Sequence, residues 1–359
     1  MQRLDDRIPV VLLTGFLGSG KTTILNKWLA RKELSDTAVI VNEFGEIGID
    51  HTLIASSNDN TIELSTGCLC CTVRGDLVET LRDLADKRSR GEIKKFSRVV
   101  IETTGLADPV PVLQALITFP VAQAYRLTRA LTVVDGVQGV STIERHPEAA
   151  RQVAIADALI LSKFDLPIAR IDTLRVKLQQ LNPRASLHCS SNHMAPPIDL
   201  LLADGAFSPT VKTEDVKSWF SIENIEEQTV SNESHHQDSH HHAHDVNRHN
   251  AQITSFCLSF DTPLVWEHVA HWLDALVIAH GADLLRVKGI LDLVGQEKPI
   301  VVQAVQKLFH PPIELAGWKD NKRQSQIVFI TQSLSRDYVA EVFETIRSNQ
   351  KTMSRESRL

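Results

Sequence analysis

Several features are scarce or missing in this 359-residue sequence, and each absence removes a class of protein. No apolar run reaches the roughly 20 residues that a membrane-spanning helix needs. Met1 to Pro9 mixes charged with apolar residues, where a secretory leader would carry an unbroken apolar core. The expectation is a cytoplasmic protein with no membrane partner. Positive charge is not in surplus either: 38 Lys and Arg face 44 Asp and Glu, a net charge of −6. Without a basic stripe and interleaved aromatics, nucleic acid is not an expected partner. Cysteine is rare at five residues, and three of these crowd into Cys68, Cys70 and Cys71, too close together for a disulfide framework. That usage fits a reducing compartment and a metal-binding or redox role. Internal repeats are absent.

What is present is an alternation of strand and helix signals. Short β-branched runs recur at Val10 to Thr14, Ala38 to Val41, Val99 to Thr103, Leu131 to Asp135 and Ala158 to Ser162. Between them lie segments of helical period such as Thr22 to Arg31. Near-continuous apolar runs (VVLL, ALIL) suit strands buried on both faces, so the expected fold is α/β, a mainly parallel sheet with helices on both sides. The alternation fades after ASLHCSS, and Ser221 to Asn250 is a polar stretch with seven histidines, read as a flexible linker. Order resumes at QITSFCLSFD, followed by an amphipathic segment from Leu264 to Ala279, then DLLRVKGIL, PIVVQAVQKLF, QSQIVFIT and a final helix over Ser335 to Arg347. This order predicts a small α+β C-terminal domain with a mostly antiparallel sheet. The domain boundaries expected are 1–220, a linker over 221–250, and 251–350.

Gly15-Phe-Leu-Gly-Ser-Gly-Lys-Thr matches G-x-x-x-x-G-K-[ST], with a strand signal before it and a helix signal after it. Such a loop turns backbone N–H groups inward around phosphate oxygens and adds the positive end of a helix dipole. The nucleotide-binding residues expected are Gly15, Gly18, Ser19, Gly20, Lys21, Thr22 and Thr23, with Lys21 on the β- and γ-phosphates and Thr22 on Mg²⁺. The strand RVVIE then delivers Glu102 ahead of Thr-Thr-Gly-Leu-Ala-Asp-Pro. Glu102 is expected to share the Mg²⁺ shell, and the Gly105 amide to sense the γ-phosphate. Lys21, Glu102 and Gly105 are thus the expected catalytic set. Base reading falls to Ser162-Lys163-Phe164-Asp165: Asp165 suits guanine N1 and N2, and the Lys163 stem suits the face of the base.

Between phosphate loop and Glu102 lies Gly67-Cys68-Leu69-Cys70-Cys71-Thr72, with a helix expected from Asp76. Two or three thiolates from one turn, with a further position open, suit Zn²⁺, Co²⁺ or Cu⁺. The nearby helix start and Arg74 favour the thiolate form. Glu46, and after it Glu43, are the oxygen ligands expected from the segment where the first switch would lie. His235, His236, His240, His241, His242 and His244 are expected to collect metal loosely. His268, His271 and His280 read as ordinary residues of an amphipathic helix.

The set GFLGSGKTT, VNEFGEIGID, GCLCC, ETTGLADP and SKFD resembles the CobW-like family of P-loop GTPases, which are metallochaperones or metal insertases. FDTPLVWEHVAHWLDAL, LLRVKGIL and VVQAVQKLFHPP look like that family's C-terminal domain, so the resemblance covers nearly the whole chain. It implies GTP hydrolysis with Mg²⁺, and zinc or alternatively cobalt at Cys68, Cys70 and Cys71, delivered to a client metalloprotein. Ser162 stands where Asn is commonest, Val41 where some relatives are acidic, and no Cys-Pro docking motif opens the chain. The expected cycle has GTP with Mg²⁺ ordering two switches to complete a thiolate site that hydrolysis loosens. The alternatives are a nucleotide-regulated metal buffer or sensor, and a cobalt factor for cobalamin synthesis or nitrile hydratase.

Overall fold

The computed structural model describes residues 7–42, 61–64, 72–203, 253–318 and 323–356. The first part runs β1 (Ile8–Gly15), α1 (Lys21–Leu29), β2 (Thr37–Asn42), β3 (Thr61–Leu64), α2 (Thr72–Arg90), β4 (Arg98–Glu102), α3 (Val110–Ile117) and α4 (Val121–Ala124). It continues through β5 (Tyr125–Asp135), α5 (Gly139–Arg145), α6 (Pro147–Ile155), β6 (Ala158–Ser162), α7 (Ile171–Leu181), β7 (Ser186–Ser190) and α8 (Asp199–Leu202). The seven strands form one sheet in the order β3-β2-β4-β1-β5-β6-β7, and every described pairing in it is parallel.

Burial on both faces follows from the period of two along β1. Val10 and Leu12 pack with Leu77 and Leu81 of α2 and Leu113 and Leu116 of α3. Val11 and Leu13 point the other way, against Ile24, Leu25 and Trp28 of α1. Each such side chain contributes about 1.5–3 kcal/mol on leaving water. The polar tips of two large residues of this core are satisfied: Trp28 Nε1 donates to Pro196 O at 3.1 Å, and Tyr125 OH to Leu81 O at 2.9 Å. β5 begins six residues before the expected Leu131, because Tyr125, Leu127 and Ala130 are buried against the α2 and α3 side.

The second part comprises β8 (Ile253–Phe260), α9 (Trp266–His280), β9 (Leu284–Leu291), β10 (Ile300–Val305), β11 (Leu308–Phe309), β12 (Ile313–Glu314), β13 (Ser325–Gln332) and α10 (Arg336–Glu356). Its sheet is antiparallel, β11-β10-β9-β13-β8 with β12 beside β10. One face is closed by α9 and α10 around Trp272, which lies 4.7 Å from Phe343 and 5.4 Å from Phe329, centroid to centroid. The run PIVVQAVQKLF, expected as one strand, is a hairpin: Gln306 takes φ 49°, and Val305 pairs back onto Leu308. The final helix extends past the expected Arg347 to Glu356. The expected boundary at 220 and the linker 221–250 lie outside the described residues.

The other face of this second sheet lies on α6 and α7. The seam holds a small apolar patch of Ala154, Leu285, Ile330 and Ile253 and a buried ion cluster. Asp157 Oδ1 accepts from Arg286 Nη2 at 2.5 Å and Lys288 Nζ at 2.8 Å, and its Oδ2 accepts from Ala130 N at 2.9 Å. Burial alone would raise the Asp157 pKa, but the two cations and the backbone amide hold it below its usual value. Burial pulls Lys288 down to about 8. It takes the neighbouring His310 down to about 4, assisted by Arg286.

Candidate functional site

Because every strand of the first sheet runs the same way, the C-terminal ends collect on one edge, the place where α/β folds bind ligands. Glu102 is in register with Leu13 on one side and Val41 on the other, and Asn42 with Leu64. The turn from β1 to α1 depends on glycine: Gly15, Gly18 and Gly20 have φ of 143°, 70° and 90°. A Cβ on Gly15 would also lie 2.3 Å from Val133 O. Gly20 caps α1, whose first N–H groups face outward with the helix dipole behind them.

Lys21, 8% exposed, folds back over this turn, donating from Nζ to Gly15 O at 2.9 Å and to Phe16 O at 3.4 Å. Thr22 Oγ1 donates to Glu102 Oε1 at 2.6 Å, bringing together two of the expected residues 80 positions apart in sequence. Glu102 is 4% exposed. A hydroxyl and a carboxylate converging at the end of a phosphate loop are the oxygen donors a hard divalent cation takes. Thr23 is exposed on the first turn of α1. The loop after β4 leans on the same turn: Thr103 N donates to Leu13 O, Thr103 Oγ1 to Thr14 Oγ1 at 2.8 Å. Gly105 is so close that an added Cβ would lie 2.5 Å from Leu17 N.

The Ser162–Asp165 turn braces the loop from the far side. Lys163 adopts φ 52°, and its Nζ reaches Gly18 O at 2.9 Å and Asp135 Oδ2 at 2.5 Å. Ser162 Oγ donates to Ser19 O at 2.6 Å, while Asp165 stands exposed. The residue at the position where Asn is commonest therefore ties down the phosphate loop through its hydroxyl. Three contributors carry no clear mark in the sequence. Asp135, at the end of β5, orients Lys163 and accepts from Val137 N and Gln138 N at 2.8 and 3.1 Å; its position at a strand end followed by Gly was a usable signal. Ser162 shows in the sequence only as a departure from a motif. Gln152, 1% exposed on α6, donates from Nε2 to Gly105 O at 3.2 Å and Ala107 O at 3.1 Å, and nothing in its apolar sequence surroundings announces that.

Alongside the phosphate loop is a cavity of about 350 Å³. Phe16 to Ser19 form one wall, the end of β5 another, and α5 with α6 a third. Gly20, Lys21, Thr22 and Asp165 do not line it, so it flanks the turn from β1 to α1.

Glu43, Glu46, Cys68, Cys70 and Cys71, and the histidines His235, His236, His240, His241, His242 and His244, lie outside the described residues. Among the described residues no group of three or more His, Cys, Asp or Glu could hold a metal. Of the α9 histidines, His280 bonds to Tyr338 OH at 2.8 Å, and His271 is exposed. No described helix is long and apolar enough to cross a membrane.

Comparison with known proteins reproduces this two-part organisation. Residues 9–188 match the family described as CobW/HypB/UreG, nucleotide-binding domain, and residues 253–347 the cobalamin synthesis protein cobW C-terminal domain. The zinc chaperone YjiA of Escherichia coli K12 is 31% identical, over 95% of this chain and 99% of its own. The zinc chaperone CobW of Pseudomonas aeruginosa is 29% identical, over 94% and 91%. The crystal structure of Zn(II)-bound YjiA GTPase from E. coli superposes with a TM-score of 0.69 at 28% identity, covering 95% of this chain and 99% of that one.

Proposed function

The chain belongs to the CobW/HypB/UreG family, a P-loop GTPase with a CobW C-terminal domain, and from that premise we propose that it couples GTP hydrolysis to carrying Zn²⁺ to a client metalloprotein. In this reading the amides of the Gly15–Thr22 turn hold the phosphates of GTP. Lys21 exchanges Gly15 O and Phe16 O for β- and γ-phosphate oxygens. Thr22 and Glu102 would hold Mg²⁺, which supplies positive charge to the phosphates when bound. Gly105 N–H meets the γ-phosphate, so the loop after β4 differs between GTP and GDP states. Asp165 reads guanine, with Lys163 and Asp135 keeping the loop in register.

The cargo would be held by Cys68, Cys70 and Cys71, with Glu46 or Glu43 as an oxygen ligand and Co²⁺ as the competing metal. The observation that carries the coupling is the shared strand edge. β2 ends at Asn42, one residue before Glu43; β3 ends at Leu64 and α2 opens at Thr72, bracketing the cysteines; both strand ends are in the register that presents Glu102. That two full-length relatives carry the name zinc chaperone supports zinc. Cargo affinity then depends on the nucleotide, and the two are reciprocally linked.

The test is Zn²⁺ competition against a chelating dye with protein bound to GDP or to a non-hydrolysable GTP analogue. The expected result is at least tenfold tighter binding in the GTP-analogue state, lost in Cys70→Ala. Equal affinity in the two states would sink the coupling and leave a metal buffer or sensor.

A further inference from the structure

We infer that α6 is a connector between the γ-phosphate-sensing loop and the C-terminal domain. In this role Gln152 is a positioning residue for hydrolysis, and the seating of the C-terminal sheet depends on the bound nucleotide. The inference rests on the reading that Gly105 senses the γ-phosphate, and extends it to the sheet that packs on the other side of α6.

Two ends of the connection are held by neighbouring residues of one short helix. On the nucleotide side, Gln152 Nε2 bonds to the carbonyls of both Gly105 and Ala107, and Arg151 Nη1 lies 3.6 Å from Asp108 Oδ2. A buried amide bridging two carbonyls leaves the loop no freedom to move without either dragging α6 or losing both bonds. On the other side, the same Arg151 donates from Nε and Nη2 to Gln332 Oε1 at 3.2 and 3.0 Å. Ala154 packs on Leu285 and Ile330, and Arg286 of β9 donates to Ile155 O at 3.3 Å before reaching Asp157. Asn182 Nδ2 gathers the carbonyls of Val153, Ala154 and Ala156 at 2.8, 3.1 and 2.9 Å, so the end of α6 moves as a block. Thr132 Oγ1 bonds to Gln152 O at 2.6 Å and ties the helix to β5.

Space for a shift is present on one side of α6. Gln152, Val153 and Ala149 line the 350 Å³ cavity beside Phe16 to Ser19. The opposite side of α6 is closed by the C-terminal sheet. A loop pulled onto a γ-phosphate therefore draws α6 toward the cavity and loosens its hold on β9 and β13. By reciprocity, a partner that gripped the C-terminal domain would change the preference for GTP over GDP.

Hydrogen exchange on the full chain, with GDP and with a non-hydrolysable GTP analogue, tests this. In the wild type, exchange of residues 284–291 and 325–332 is expected to differ at least threefold between the two states, together with the phosphate loop. Arg151→Ala and Gln332→Ala, both at a half-buried contact, reduce the difference in those strands at least twofold while the phosphate loop still responds and GDP affinity is kept. Gln152→Glu, which sets a carboxylate against two carbonyls, lowers kcat at least tenfold with KM within threefold; Gln152→Asn falls between. A phosphate loop that responds while the two strands do not overturns the connector alone. Strands that respond undiminished in both Arg151→Ala and Gln332→Ala do so as well. If neither region responds in the wild type, the γ-phosphate reading falls with it.

Discussion

Gly105→Ala is the sharpest probe of the contact between the loop after β4 and the phosphate loop. The added methyl would sit 2.5 Å from Leu17 N and 2.6 Å from Leu17 Cα, against 3.4 Å or more for an ordinary contact. Both neighbours are backbone, so no rotamer change relieves them, and the two loops must part by about 0.9 Å, the difference between those distances. A displacement near 1 Å at a reacting centre costs on the order of 100-fold in rate, and a forced methyl about 1–3 kcal/mol in stability. GTP turnover should fall by that factor, with a loss of this size in a urea titration. GDP affinity should stay within threefold, because the expected contact of Gly105 is with the γ-phosphate alone. Gly317, with open space around it, supplies the control. A Gly105→Ala protein with kcat within threefold of wild type refutes the assignment of this loop.

Three further outcomes follow from the geometry. Glu102→Gln keeps an acceptor for Thr22 Oγ1 but removes the charge, so kcat at saturating Mg²⁺ should drop about 100-fold with the urea midpoint unchanged; a normal Mg²⁺ dependence would contradict the pairing. Asp157→Ala strips the counter-charge from two buried cations and should cost about 3–5 kcal/mol in denaturation, whereas a loss under 1 kcal/mol would show that Arg286 and Lys288 find other partners. His310 contributes acid sensitivity: its folded pKa, about 4, lies below the ordinary 6.5, so between these values only the unfolded chain binds the proton. That stability is complete above pH 6.5 and lost as pH falls to 4, up to ~3 kcal/mol; His310→Gln should flatten this stretch of the stability–pH curve, and an unchanged slope would refute it.

How much of this was legible in the sequence varied with the physics of each part. The phosphate loop was, because Gly15, Gly18 and Gly20 occupy φ values that other residues resist, and Lys21 and Thr22 follow at a fixed offset. The parallel sheet was too, since VVLL and ALIL are apolar on both faces. The hairpin in PIVVQAVQKLF was not, because a turn at Gln306 lacks the Gly or Asn that usually marks one. Gln152 and Ser162 act through partners 47 and 143 residues away, a relation that no local pattern records. In the sequence Asp157 merely precedes the strand that begins at Ala158, and only the fold brings Arg286 and Lys288 to it.

The seam between the two sheets has one more consequence. It carries several ionic and polar contacts: Asp157 with Arg286 and Lys288, Arg151 with Gln332, and Ser255 Oγ on Gln180 O at 2.9 Å, beside the apolar patch and Val305, which joins the core cluster of Ile8 and Ile155. The ions regain water wherever the two sheets part, while the apolar residues beside them lose their burial, so the apolar part of the seam favours closure and the charged part fixes its register.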